Sequence, residues 1–176
     1  ETAYTSWKQE YGFLDFNDML VKFVDLPESC VPLFEVVMLD EAQDCSNLQW
    51  KAINRVAEKA ARVYVAGDDD QAIFEWNGAN PHGMAEFAYR NLSAGGRVTV
   101  LDHSWRVPAA AHFMAQEVID LVETRVAKKF NHSGRDGEVI RYGSTFDIDW
   151  QTMRETGALV LVRDRFRSLE VERILN

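Results

Sequence analysis

With 176 residues, the chain can bury one good core, or one complete domain and part of another, but it cannot hold a large multidomain machine. Its 47% hydrophobic and 27% charged residues are those of an ordinary folded protein and give no compositional case for disorder. The 19 Lys and Arg against 28 Asp and Glu leave a formal charge of -9, which on charge alone argues against nucleic acid as a partner, because phosphate binding normally leaves a basic footprint.

The opening ETAYTSWKQEYGF has neither a basic leader nor a signal-peptide core, and no apolar run is long enough to cross a bilayer. The expected setting is cytoplasmic, with no membrane partner. The chain starts at Glu1 without a methionine and with what reads as mid-protein sequence, so it is expected to be an internal piece of something longer. Cys30 and Cys45 lack CxxC spacing and nearby histidine pairs, which points to two reduced thiols rather than a zinc site or a disulfide framework.

Phe16, Met19, Leu20, Phe23 and Val24 recur at helical spacing behind Asp15, which is placed to cap an amphipathic helix. Pro27 and Pro32 bracket a turn. The run Phe34 to Leu39 then predicts a buried strand that ends abruptly in Asp40, Glu41 and Asp44. Ser46 followed by Gln49 forms a capping box, and Leu48, Ala52, Ile53, Val56, Ala57 and Ala60 make the buried stripe of the next helix. A second short strand, Arg62 to Ala66, runs into GDDDQ. Strand, helix, strand in this order implies a right-handed parallel crossover, which places Asp40 and Asp68 on the same edge of the sheet.

Asn80 and Pro81 are the expected cap and first residue of another helix, ending before the Gly95-Gly96 turn. Val98 to Leu101 predicts a third strand, and Pro108 opens a long helix with Ala111, Ala115, Val118, Val122 and Val126 on its buried side. Residues 131–137 turn polar and glycine-rich and predict a linker. Beyond it come a strand near Glu138 to Tyr142, an irregular stretch from Gly143 to Trp150, an apolar strand from Ala158 to Val162, and a helix from about Arg165.

Ligands in open α/β sheets bind beyond the carboxyl ends of the strands, where this pattern puts its acids. One reading has Asp40 hold Mg²⁺ on a nucleoside triphosphate while Glu41 orients or deprotonates an attacking water. The plainer reading is a strand that meets a solvated acidic turn. At the second strand end, Gln71 offers an uncharged amide able to sense a γ-phosphate or position water, or else Gly67 and Asp68 to Asp70 simply cap the next segment. Phe74 and Trp76 alternate about Glu75, so an extended backbone would turn both rings to one face. Such a face suits base stacking on a single strand, although paired aromatics are more often core. Trp105 and Arg106 follow the third predicted strand by a short loop and should reach the edge that carries Asp40. There the arginine can stabilise charge on transferring phosphate and the tryptophan can stack on a planar base, unless both serve only local packing. His82, His103, His112 and His132 show no ligand spacing, and Arg163 and Arg165 are read as solvated.

FEVVMLDEAQD, GDDDQAIFEWNGA and HSWRVP, in this order, resemble motifs II, III and IV of superfamily 1 DNA helicases of the UvrD, Rep and PcrA type. YGFLDFNDML resembles the segment by which that family's chain re-enters its first motor domain, and GALVLVRDRFRSLEVERIL resembles the start of the second. The resemblance implies an α/β fold, a RecA-like parallel sheet flanked by helices. This would be a P-loop NTPase motor domain lacking its phosphate-loop part at 1–130, a linker at 131–137, and the beginning of a second RecA-like domain at 138–176. It implies ATP as substrate, Mg²⁺ as cofactor and single-stranded DNA as partner. Residue by residue, it implies Asp40 for Mg²⁺ and nucleotide, Glu41 for activating water, and Gln71 for coupling the γ-phosphate to DNA. Arg106 falls at the γ-phosphate arginine and Trp105 at the ring that packs on adenine. Phe74 and Trp76 fall at DNA-stacking positions. Asn77 stands where the family usually has arginine, which puts one contact to DNA or phosphate in doubt, and Trp105 replaces the usual tyrosine while keeping a stacking face.

GxxxxGK[ST], whose backbone N–H groups and lysine cradle phosphates, occurs nowhere in the sequence. The expectation is therefore the middle of an ATP-dependent DNA helicase, translocating 3′ to 5′, that hydrolyses ATP efficiently only at full length. Two other classes stay open at this point. A metal-dependent nuclease would use Asp40, Glu41, Asp44 and Asp68 to hold two ions. A non-catalytic binding remnant would keep the fold without turnover.

Overall fold

A computed structural model describes residues 2–80, 82–122, 125, 128–162 and 164–175. In chain order these form α1 (Thr2–Tyr11), α2 (Phe16–Asp25), β1 (Val36–Leu39), α3 (Asn47–Ala57), β2 (Arg62–Val65), α4 (Gly83–Ser93), α5 (Ala109–Ile119), α6 (Trp150–Thr156) and α7 (Arg165–Leu175). The architecture is α/β: β1 and β2 pair in parallel through the α3 crossover, with Val36 opposite Arg62 and Leu39 opposite Val65. Both strands therefore end at the same edge, as their order in the sequence predicts.

Local capping chemistry sets the helix starts. Asp15 accepts the Asp18 N–H at 2.9 Å while Asp18 accepts the Asp15 N–H at 2.9 Å, and Ser46 and Gln49 exchange the equivalent pair at 3.3 and 2.7 Å. Lys8 ties α1, for which the sequence pattern gave no sign, to the α2 cap by reaching Asp15 at 2.7 Å and Asp18 at 2.6 Å. The Lys8 ammonium holds the Asp15 carboxyl down at about 2. At its other end α2 is fastened to α3, whose Arg55 guanidinium donates to the carbonyls of Val24 and Leu26. Only this half of α2 is covered. Leu20, Phe23 and Val24 are half-buried, whereas Phe16, expected on the same apolar face, is 83% exposed and Met19 is exposed too.

The core lies where α3 and α4 back onto the strand ends. Ala42, Cys45 and Trp50 are buried together, with Leu39, Ile53, Val65, Met84 and Phe87 packed around them. Ala52 is buried and Leu48, Ile53, Val56, Ala57 and Ala60 half-buried, so the predicted stripe faces inward. Trp50, beside that stripe, is the largest buried side chain of the cluster. It reaches inward because α4 presents a glycine: a Cβ on Gly83 would lie 2.2 Å from Trp50 Nε1. Burial and the Asp44 charge push the Cys45 thiol above its ordinary value.

Several sequence-based expectations are corrected. β1 is not buried on both faces, because Met38 and its register partner Tyr64 are exposed; α3 covers one side only. Val98 to Leu101, Glu138 to Tyr142 and Ala158 to Val162 form no strand. A strand exists only where a neighbour takes its backbone N–H and C=O groups, and among the described residues the sheet consists of β1 and β2. Their apolar residues, including Leu101, Ile140, Leu159 and Leu161, are exposed. α5 starts after Pro108 as predicted but stops at Ile119. Ala111 is half-buried, Ala115, Val118 and Val122 are exposed, and Val126 lies outside the described residues. α4 starts at Gly83, with Asn80 accepting the His82 and Gly83 N–H groups; Pro81, its expected first residue, is outside the described residues, as is Arg163. α6 begins where the stretch expected to be irregular ends and fills the gap before Gly157, where no element was expected; Asp149 caps it through Thr152 N and Oγ1. α7 begins at Arg165, as expected.

Residues 131–136 run beside 102–110. Ser104 N donates to Asn131 O at 2.8 Å, Asn131 N to Asp102 O at 2.7 Å, Ser133 N to Val107 O at 2.9 Å and Ala109 N to Arg135 O at 2.7 Å. Among the described residues no helix is long and apolar enough to cross a membrane.

Candidate nucleotide site at the strand ends

The two strand ends are stitched to each other before their loops diverge. Ala66 N donates to Leu39 O at 2.8 Å, and Ala42 N donates back to Ala66 O at 3.0 Å. To bring Ala42 round, Glu41 takes a left-handed conformation (φ 52°, ψ 42°), the only non-glycine among the described residues with positive φ. That conformation costs about 1–3 kcal/mol and is held only where surrounding contacts enforce it. One such contact is the Glu41 N–H donated to Asp40 Oδ1 at 2.9 Å. Asp40 and Glu41 are both exposed at this edge.

Gln43 links the two loops. It is 2% exposed; its Nε2 donates to Glu41 Oε2 at 2.7 Å and its Oε1 accepts the Asp68 N–H at 3.0 Å. Gly67 allows this approach, since a Cβ there would lie 2.7 Å from Gln43 Oε1 and 2.6 Å from Met84 Sδ. Sequence reasoning passed over Gln43, although an uncharged amide set between carboxylates at a strand end is the available signal. Gln43→Met keeps the volume but strands the Asp68 N–H, so it is expected to lower unfolding stability by about 1–3 kcal/mol in denaturant titrations.

The second loop makes a tight turn at Asp69–Gln71. Gln71 Nε2 donates to Asp68 Oδ2 at 2.7 Å, and Asp70 N to Asp68 Oδ1 at 3.2 Å. Two cations from beyond α5, which the sequence pattern did not single out, close over this turn. Lys128 Nζ lies 2.5 Å from Asp68 Oδ1 and from Asp69 Oδ1 and 3.2 Å from Asp70 Oδ2. Arg125 grips Asp70 in a bidentate fork, Nε to Oδ1 at 2.9 Å and Nη2 to Oδ2 at 2.8 Å.

Burial pushes the Asp68 carboxyl up, but hydrogen bonds from Lys128 and Gln71 outweigh it and hold the group below its usual 3.8. Burial likewise works against the Lys128 ammonium, and Asp68 and Asp69 more than offset it, raising Lys128 above its usual 10.5. The lowered acid stabilises the fold above its unfolded value and loses that contribution as pH falls through its folded one. The raised lysine stabilises below its unfolded value and loses that as pH rises through its folded one. Thermal stability is therefore expected to be flattest between roughly pH 4 and 10 for this cluster, and Lys128→Met should weaken the dependence at both ends in melts taken across pH.

Phe74 and Trp76 do not alternate on an extended backbone. Glu75–Asn77 form a single 3-10 turn closed by Gly78 at φ 91°, and the turn brings the rings together, with centroids 6.3 Å apart and planes tilted by 50°. Trp76 is 80% exposed. Asn77 lies exposed in the same turn, its N–H donating to Phe74 O at 2.9 Å. Trp105 and Arg106 were expected at the Asp40 edge through a third strand that does not form. Their loop is instead pinned to 131–135, with Arg135 donating to Arg106 O at 2.6 Å. Trp105 is exposed and meets His103 edge-on at 4.5 Å. Among the described residues no hydrogen bond or ion pair joins Arg106 or Trp105 to Asp40, Glu41 or Gln71.

A divalent cation fits Asp40 by donor type. Mg²⁺ keeps several waters and commonly takes one or two carboxylates plus substrate phosphates, and Asp40 supplies an exposed carboxylate that spends one oxygen on the Glu41 N–H. Among the described residues no three His, Cys, Asp or Glu side chains converge as an all-protein metal site.

Residues 2–90 match the UvrD/REP helicase N-terminal domain family. The chain is 26% identical over 196 aligned residues to ATP-dependent DNA helicase PcrA of Leuconostoc citreum, covering 99% of this chain and 26% of that protein. It is 29% identical to DNA helicase II of Haemophilus influenzae, covering 77% of this chain and 19% of that protein. With DNA helicase II of Escherichia coli it shares 28% identity, covering 82% and 21%. The chain thus spans about a quarter or less of the length of these curated relatives.

Proposed function

Because the chain belongs to the UvrD/Rep helicase family, we propose that it forms part of a motor that couples ATP hydrolysis to 3′ to 5′ movement along single-stranded DNA and to duplex unwinding. The observation that carries this reading is the joining of the DEAQD and GDDDQ loops, at the carboxyl ends of two parallel strands, through the buried Gln43 amide. Glu41, Gln43, Asp68 and Gln71 are hydrogen-bonded in series, which supports reading Glu41 as the water-activating acid and Gln71 as the γ-phosphate sensor of one site.

In this reading Asp40 holds Mg²⁺, which when bound offsets charge on the transferring phosphate. Glu41 lies next in sequence and keeps one carboxylate oxygen on Gln43, leaving the other to accept a proton from, or orient, the attacking water. Gln71 senses the γ-phosphate, and the turn that carries it leads within six residues to Phe74, Trp76 and Asn77. Stacked bases on Phe74 and Trp76 would feel any shift of that turn, each stack being worth about 1–3 kcal/mol. Trp105 and Arg106 belong to the same cleft, as the ring against adenine and the arginine on the γ-phosphate, brought in when the motor closes on ATP. Residues 1–130 belong to the first RecA-like domain and 138–176 to the second, with 131–137 between them. The chain alone, without GxxxxGK[ST], turns ATP over poorly.

The test is ATP hydrolysis by the full-length protein with and without single-stranded DNA, and unwinding of duplexes carrying a 3′ or a 5′ tail. Strand-stimulated hydrolysis with unwinding of the 3′-tailed duplex is the expected result. No ATP turnover with any strand replaces the motor by a non-catalytic binding module. Strand cleavage that needs Mg²⁺ or Mn²⁺ but no ATP replaces it by a nuclease.

A further inference from the structure

The acidic turn at Asp68–Asp70 is not open to solvent in the way its sequence suggests. Lys128, whose side chain is 13% exposed, touches all three carboxylates, and Arg125 doubles the grip on Asp70. These cations stand 55 to 60 residues further along the chain, after α5. The cluster also includes Gln71. A carboxylate can only accept hydrogen bonds, so Gln71 must turn its NH₂ to Asp68 Oδ2 and its carbonyl oxygen the other way. Asp68 keeps the orientation that imposes this choice because its other oxygen is held by Lys128 Nζ and the Asp70 N–H. Without the ammonium, three successive carboxylates repel one another and Asp68 loses its strongest fixed partner.

We propose that Lys128 is a positioning residue: by holding Asp68 it fixes which way the Gln71 amide faces, and so makes the response at the nucleotide depend on the segment that follows α5. This rests on the motor reading of Gln71, and it goes further by naming the residue that sets Gln71 and the part of the chain that controls it. Neutralising the aspartates for stability alone would not require Lys128 to act through Asp68. That difference can be measured.

In the full-length protein, Lys128→Met is expected to lower strand-stimulated kcat about tenfold while leaving the KM for ATP within about twofold, the signature of a group that orders the reacting geometry rather than binding substrate. Lys128→Arg, which keeps the charge, should recover most of the loss. In an Asp68→Asn background Lys128→Met should add no further loss, because the path to Gln71 is already broken. Wild-type kcat in Lys128→Met, or the same tenfold loss in the Asp68→Asn background, overturns the proposal while leaving the motor reading intact. If Lys128→Met does not fold, the near-isosteric Asp68→Asn decides: unchanged stimulated kcat overturns the proposal, and the tenfold loss with unchanged KM supports it. Absence of turnover in the wild type overturns the motor reading and this inference with it.

Discussion

Glu41→Gln in the full-length protein is expected to cut strand-stimulated ATP turnover by about 10²- to 10³-fold, within the range that a positioned general base contributes, while ATP still binds. The substitution is nearly isosteric, and the local geometry tolerates it. An amide at position 41 can present its oxygen to Gln43 Nε2 where the carboxylate now accepts at 2.7 Å, and the left-handed backbone is held by main-chain bonds on either side. What is lost is the ability to take a proton from water. Stopped turnover with retained nucleotide affinity, read by equilibrium binding of a fluorescent ATP analogue, assigns Glu41 to the chemical step. Turnover equal to wild type would remove Glu41 from that role, and loss of binding together with turnover would make it a structural acid instead.

Trp50→Ala is expected to destabilise the fold by about 3–5 kcal/mol, the usual cost of truncating a buried large aromatic. The reason for the upper end is the small core. Val31, Ala42, Cys45, Trp50 and Ala52 are the buried apolar residues among those described, and Trp50, at 5% exposure, joins α3 to α4 through Phe87 at 5.7 Å between ring centroids. A loss of this size is a large part of the total stability of a small domain, about 5–15 kcal/mol. Trp50→Phe should cost less, because the indole N–H is buried without a partner and its removal offsets part of the lost packing. Gly83→Ala should also destabilise, by driving a methyl group into the same ring. Denaturant unfolding of the three variants checks the order, and a Trp50→Ala midpoint equal to wild type would remove the α3–α4 contact as the principal core. Ala42 and Cys45 share this cluster, so the packing that Trp50 supplies also supports the turn that carries Asp40 and Glu41.

Features written in short stretches of sequence were legible there. The Asp15 and Ser46 caps, the inward stripe of α3, the end of β1 at Leu39 just before Asp40 and the start of α7 at Arg165 all depend on neighbours a few residues away. The parallel pairing of β1 and β2 followed from their order about a single helix. The stretches at 34–44, 67–79 and 103–108, taken together and in that order, pointed to the family that residues 2–90 match.

Features that depend on distant partners were not. The apolar runs at 98–101, 138–142 and 158–162 have strand-like composition, yet a strand is a relation between two backbones and no described neighbour completes it. Phe74 and Trp76 are adjacent through a tight turn rather than through the alternation the sequence suggested. Gln43 gained its role only when Gly67 let the second loop approach it. Asp68 to Asp70 form an acidic edge in sequence, but in the fold Arg125 and Lys128 lie over them. By itself the sequence determined the caps, the strand ends and the acids delivered there, because those follow from local backbone geometry and side-chain periodicity. The tertiary structure alone decided which of those acids stay exposed and which are held by cations, because that depends on chain segments 55 to 60 residues apart being folded into contact.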